Sequence, residues 1–126
     1  MMARLGELER KVMEVLWADV GAQVTVRHVE ERLPGYAYTT LLTVLTRLER
    51  KGLVRRAKDG RAFRYAAVTS REEYTADLMR EALGGATDRA AVLARFAETV
   101  SPAEAAVLRE ALAGFDGSEH GSGGPG

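Results

Sequence analysis

The sequence predicts a mainly α-helical chain with one small β-hairpin: three helices and the hairpin first, then a wholly helical stretch. Three observations predict it. Apolar residues recur at helical spacing through most of the 126 residues. One short segment, residues 53–66, instead reads as two extended runs around an Asp-Gly pair, which is a hairpin signal. Two capping boxes, Ser70-Arg71-Glu72-Glu73 and Ser101-Pro102-Ala103-Glu104, open helices in the second half.

The elements follow in order. Leu5, Leu8, Val12, Val15 and Leu16 place a first helix at 5–18, with Trp17 as core filling and Gly21 as a stop. Thr25 caps a short second helix at 26–33, whose Val26, Val29 and Leu33 face inward, and Pro34-Gly35 ends it. A third helix runs from Thr39 to Lys51, with Gly52 as its stop. Two strands follow, 53–57 and 62–66, with Phe63 and Tyr65 on one side and Arg64 on the other. Later helices are expected at 70–83, 88–99 and from Ser101 to Gly114, with Gly84-Gly85 breaking the first of them. The Gly/Ser-rich residues 116–126 are expected to form a disordered tail.

The net charge of zero conceals a polarity. Residues 1–70 hold 13 basic and 8 acidic groups, whereas residues 71–126 hold 5 and 10. A basic half suits a polyanionic partner. Within it, Arg47, Arg50, Lys51, Arg55, Arg56, Lys58, Arg61 and Arg64 are opposed only by Glu49 and Asp59 across residues 47–64. The absence of cysteine excludes disulfides and thiolate metal sites. No apolar run approaches membrane-spanning length, and the first residues lack the apolar core of a signal peptide. The expectation is a cytoplasmic chain with no membrane insertion.

The third helix has two unlike faces. Leu41, Val44, Leu45 and Leu48 cluster on one side, and Thr39, Thr43, Thr46, Arg47 and Arg50 on the other. A leucine face opposite threonine and arginine is what a helix reading a DNA groove needs. Arginine forks onto guanine edges or phosphate, and threonine offers a hydroxyl and a methyl. Leu42 falls at the margin of both faces. A hairpin carrying Lys58 and Arg61 at its tip, directly after such a helix, is a wing, and Arg61 and Arg64 are its candidate phosphate contacts. Residues 1–69 therefore read as a winged helix-turn-helix domain.

Residues 70–115 form three short amphipathic helices with too little bulk for a core of their own. They are expected to pack on a second copy of the chain through Tyr74, Leu78, Leu93, Phe96, Leu108 and Leu112, the alternative being packing on the winged-helix domain of the same chain. Catalysis finds no footing. His28 and His120 are far apart, adjacent carboxylates such as Glu30-Glu31 diverge on their helices, and nucleophile elbows and phosphate loops are absent. No enzyme, metal or cofactor is expected. The alternative reading is a winged-helix module that binds protein rather than DNA.

The strings LGELERKVMEVLW at 5–17 and YTTLLTVLTRLERKGLVRRAKDGRAFRYAAV at 38–68 resemble the penicillinase-repressor, or BlaI/MecI, family, with matching order and spacing over residues 5–113. The resemblance implies a homodimeric repressor of antibiotic-resistance genes on an inverted-repeat, double-stranded operator. It places Thr39, Thr40, Thr43 and Arg47 in the major groove and assigns dimerisation to the C-terminal helices. It also implies inactivation by proteolysis in the C-terminal region, triggered by a membrane sensor protease. Staphylococcal members are cut at Asn-Phe. Here Ala94-Arg95-Phe96-Ala97 supplies the Phe but not the Asn, so the bond itself does not carry over. Copper-responsive relatives use a C-terminal cysteine motif, which this chain lacks.

Overall fold

The computed structural model describes residues 5–19 and 21–116. The expected tail at 116–126, with His120, lies outside them except for Asp116. Eight elements are present in these residues: α1 (Glu7–Ala18), α2 (Val26–Arg32), α3 (Tyr38–Arg50), β1 (Val54–Asp59), β2 (Ala62–Ala67), α4 (Arg71–Gly84), α5 (Arg89–Ala97) and α6 (Pro102–Asp116). The chain divides into two compact units, the first ending at Ala82 and the second beginning at Leu83.

In the first unit, Val12, Met13, Leu16 and Trp17 of α1 meet Val26 and Val29 of α2 and Leu41, Val44, Leu45 and Leu48 of α3. These are the helical stripes of the sequence, and their burial drives the assembly. Thr25 caps α2 as expected, its hydroxyl accepting the His28 N–H at 3.1 Å. β1 and β2 pair antiparallel, from Val54 opposite Ala67 to Asp59 opposite Ala62. The turn is therefore Gly60-Arg61, one residue later than the Asp-Gly pair suggests. Gly60 has φ 67° and Arg61 a negative φ, the signs of a type II′ turn, which takes glycine first. Val24 adds a single bridge to Tyr65, with both N–H···O bonds at 2.7–2.8 Å, and so ties the α1–α2 connection to the hairpin.

Ser70 and Glu73 form the predicted capping box at α4, with bonds of 2.9 and 3.0 Å. This helix departs from expectation in what it packs against. Tyr74 is buried among the first unit's core residues, its ring 5.5 Å from that of Trp17. Trp17 in turn donates from Nε1 to the Thr69 carbonyl at 3.0 Å. Arg71 donates to the Glu14 carboxylate from Nε at 3.1 Å. Leu78 packs partly buried on the same core. Tyr74 is thus buried within its own chain, where the sequence expectation had placed it on a second copy. The first compact unit runs on through α4 to Ala82.

In the second unit, Asp88 is the N-cap of α5, accepting from the Ala91 N–H at 3.1 Å, and the helix ends at Ala97. Ser101 and Glu104 cap α6 reciprocally at 2.8 and 3.1 Å. That helix runs through Gly114 to Asp116, because glycine weakens a helix interior by only about 1 kcal/mol.

One partly buried ion pair went unread in the sequence. Glu9, 6% exposed, accepts from Lys51 Nζ at 2.8 and 2.9 Å and from the Gly6 N–H at 2.9 Å. It joins the start of α1 to the end of α3. Burial raises the Glu9 carboxyl, but the Lys51 and Gly6 hydrogen bonds, with the charges of Lys51 and Arg47, outweigh it and hold it below its ordinary 4.5. A depressed carboxylate contributes stability that is full above the unfolded value and is lost as pH falls through the folded one. Glu9→Gln should therefore cost about 1–3 kcal/mol at neutral pH. Its deficit against wild type should shrink as urea melts are moved below pH 4.5. A deficit that stays constant with pH would show that the charge contributes nothing.

Candidate DNA interface

Burial of Leu41, Val44, Leu45 and Leu48 fixes the rotation of α3 about its axis. Thr39, Thr40, Thr43, Thr46, Arg47 and Arg50 are consequently all exposed. The structure brings the six helical candidates onto one continuous outer surface. Their states differ. The Thr43 hydroxyl donates to the Thr39 carbonyl at 2.9 Å, so its hydrogen is already used and it retains an acceptor and a methyl. Arg47 and Arg50 lie in the last turn of α3, where the helix dipole favours cations. Neither forms an ion pair among the described residues, which leaves both guanidinium forks available to guanine or phosphate.

The wing flanks this surface. Arg61 occupies the turn, exposed and outside any ion pair among the described residues. Arg64 is placed on the opposite side of β2 from Tyr65, as expected, but its Nε is held by Asp59 at 2.7 Å. The two wing candidates are therefore unequal: one cation is open and one is already compensated. Arg56 is engaged by Glu49 at 3.5 Å and lies over the Phe63 ring at 4.1 Å. Two exposed aromatics, Tyr38 at the start of α3 and Phe63 on β2, were absent from the sequence-derived site. Their signal was available as large apolar side chains next to threonine and arginine. Of the six residues expected at a dimer surface, Leu93, Phe96, Leu108 and Leu112 are exposed on α5 and α6, while Tyr74 and Leu78 pack in or on the first unit's core.

A two-faced third helix followed by a basic hairpin defines a winged-helix DNA-binding protein. The chain belongs to the penicillinase repressor family, whose profile matches residues 5–114. It is a DNA-binding transcriptional regulator of that type. It is 49% identical over 118 residues to the transcriptional regulator BlaI of Mycobacterium tuberculosis, in strains CDC 1551 / Oshkosh and H37Rv, covering 89% of this chain and 85% of the relative. The solution structure of the DNA-binding domain of the repressor BlaI superposes with a TM-score of 0.50 at 25% identity, covering 59% of this chain and 92% of that one. No helix among the described residues is long and apolar enough to cross a membrane.

The inequality of the wing arginines is measurable. Removing one cation from a phosphate should reduce the slope of log affinity against log salt by about 1. Arg61→Ala should do so, and Arg64→Ala should change the slope less, because Asp59 already balances that charge. Fluorescence anisotropy over a salt series, on a duplex selected from random sequence by the wild-type chain, reads both. Equal slope changes would mean that Asp59 releases Arg64 to the DNA.

Proposed function

We propose that the chain is a homodimeric repressor on an inverted-repeat operator, each α3 reading one half-site through Thr39, Thr40, Thr43, Thr46, Arg47 and Arg50 while the wing steadies the phosphate backbone. The observation that carries this reading is the outer face of α3, where threonines and open arginines stand together opposite a buried leucine face. In this reading Arg47 forks onto a base, so Arg47→Ala costs about 1–3 kcal/mol on the selected duplex and relaxes the preference at one position per half-site. Equal losses on all sequences would make it a phosphate contact.

Dimerisation is supported by the second unit. α5 buries no side chain, and Leu93, Phe96, Leu108 and Leu112 are 43–63% exposed on α5 and α6. Fully burying an exposed leucine or phenylalanine is worth about 1.5–3 kcal/mol, and roughly half of that remains to be gained at each of these half-exposed side chains, which favours a second copy over solvent. Pairing makes the second half-site contact intramolecular and raises avidity by roughly 10²–10⁴. Two-fold symmetry then calls for half-sites about one helical turn, or a multiple of it, apart.

The same arrangement accounts for induction. Cleavage at or near Phe96, by a membrane sensor protease that responds to β-lactam, removes Leu108 and Leu112 and leaves the base-reading unit intact. The regulated genes are of the antibiotic-resistance type. The chain works in the cytoplasm, where its DNA is, and by binding rather than catalysis. Truncation after Arg95 is the test. The fragment should run as a monomer in analytical ultracentrifugation and bind the selected duplex at least about a hundredfold more weakly. A dimeric fragment of full affinity would sink the scheme.

A further inference from the structure

Between the start of α2, α3 and the wing lies a cleft of about 350 Å³ that the threonines and arginines of the outer face of α3 do not explain. Tyr38, Leu42 and Phe63 give it apolar walls, and Arg27 and Arg61 add cations. Leu42 is the residue at the margin of the two faces of α3, half-buried against the core. Tyr38 and Phe63 are 43% and 37% exposed. Phe63 is held in place, because the Arg56 guanidinium covers its ring at 4.1 Å and Glu49 holds Arg56 at 3.5 Å.

Geometry says what must pass here. A helix nearly fills a major groove about 12 Å wide, and a sugar-phosphate strand borders that groove on each side. A hairpin beside the helix cannot share the groove, so one strand has to run between the two. Such a strand alternates anionic phosphates with apolar deoxyribose rings. An apolar recess with cations at hand is complementary to that alternation, whereas the rest of the outer face of α3 is hydroxyl and guanidinium.

We propose that this cleft seats a backbone deoxyribose, with Tyr38, Leu42 and Phe63 against the sugar and Arg27 and Arg61 on the flanking phosphates. This rests on the reading that α3 and the wing bind duplex DNA. The contact carries no base information. It sets the depth and register at which α3 enters the groove, which makes Tyr38, Leu42, Phe63 and Arg27 positioning residues.

The test uses the full chain with Phe63→Ala, Tyr38→Ala, Tyr38→Phe or Arg27→Ala. Binding is measured on the selected duplex and on a scrambled duplex of equal length, over a salt series. Phe63→Ala and Tyr38→Ala should weaken both complexes by about five- to tenfold with the salt slope unchanged, since apolar contacts release no counterions. Tyr38→Phe should bind as wild type. Arg27→Ala should weaken both and reduce the slope by about 1. Circular dichroism melts separate binding from folding, and only variants that are fully folded at the assay temperature are compared. If wild type binds and the folded alanine variants bind equally well, or weaken only on the selected sequence, the cleft holds no sugar. If wild type enriches no duplex from the random pool and does not bind the scrambled one, the DNA-face reading fails instead.

Discussion

The architecture depends on the inward face of α3. Leu41, Val44, Leu45 and Leu48 are each 4% exposed or less, and they meet both α1 and α2. One row of side chains therefore serves as core and as a rotational lock. A turn of α3 by one residue, about 100°, would bring threonine into the core and leucine to the surface. Desolvating hydroxyls without partners opposes that error, and burying leucines favours the observed seating. The outer residues need no contacts of their own to be presented correctly. The Glu9–Lys51 pair reinforces the lock at the far end of the helix, where Arg47 and Arg50 stand.

Most of the helical framework was legible because its causes are local. Apolar spacing marks α1 to α3, and the side chains of Thr25, Ser70, Asp88 and Ser101 mark helix starts through bonds to residues three positions on. Alternation placed Tyr65 and Arg64 on opposite sides of β2. What stayed hidden is what depends on partners distant in the chain. Glu9 and Lys51 are separated by α1, α2 and α3, and nothing near either one announces the other. The single Val24–Tyr65 bridge is too short to leave a pattern. The turn slipped by one residue because the strand register, and not the Asp-Gly pair, decides which residues are left to turn.

Tyr74 illustrates the same limit in a functional setting. Periodicity shows that Tyr74 and Leu78 share a stripe, and that stripe is real. It does not say which body the stripe meets. Trp17, the Thr69 carbonyl and the Glu14–Arg71 pair decide that α4 closes over the first unit. Leu93, Phe96, Leu108 and Leu112 carry no such anchors within the described residues, and their exposure sets them apart from Tyr74 although the sequence presents all of them alike.

The seating of α4 gives the proposed switch a memory. In that scheme a chain severed within α5 keeps Tyr74, Trp17 and the core they pack in. Peptide cleavage is not resealed, and the piece cannot regain its partner. Repression would then return only as newly synthesised chains accumulate and growth dilutes the old ones. Under the proposed cleavage, the delay after the stimulus ends would be set by synthesis and cell division, and not by the rate at which any ligand dissociates.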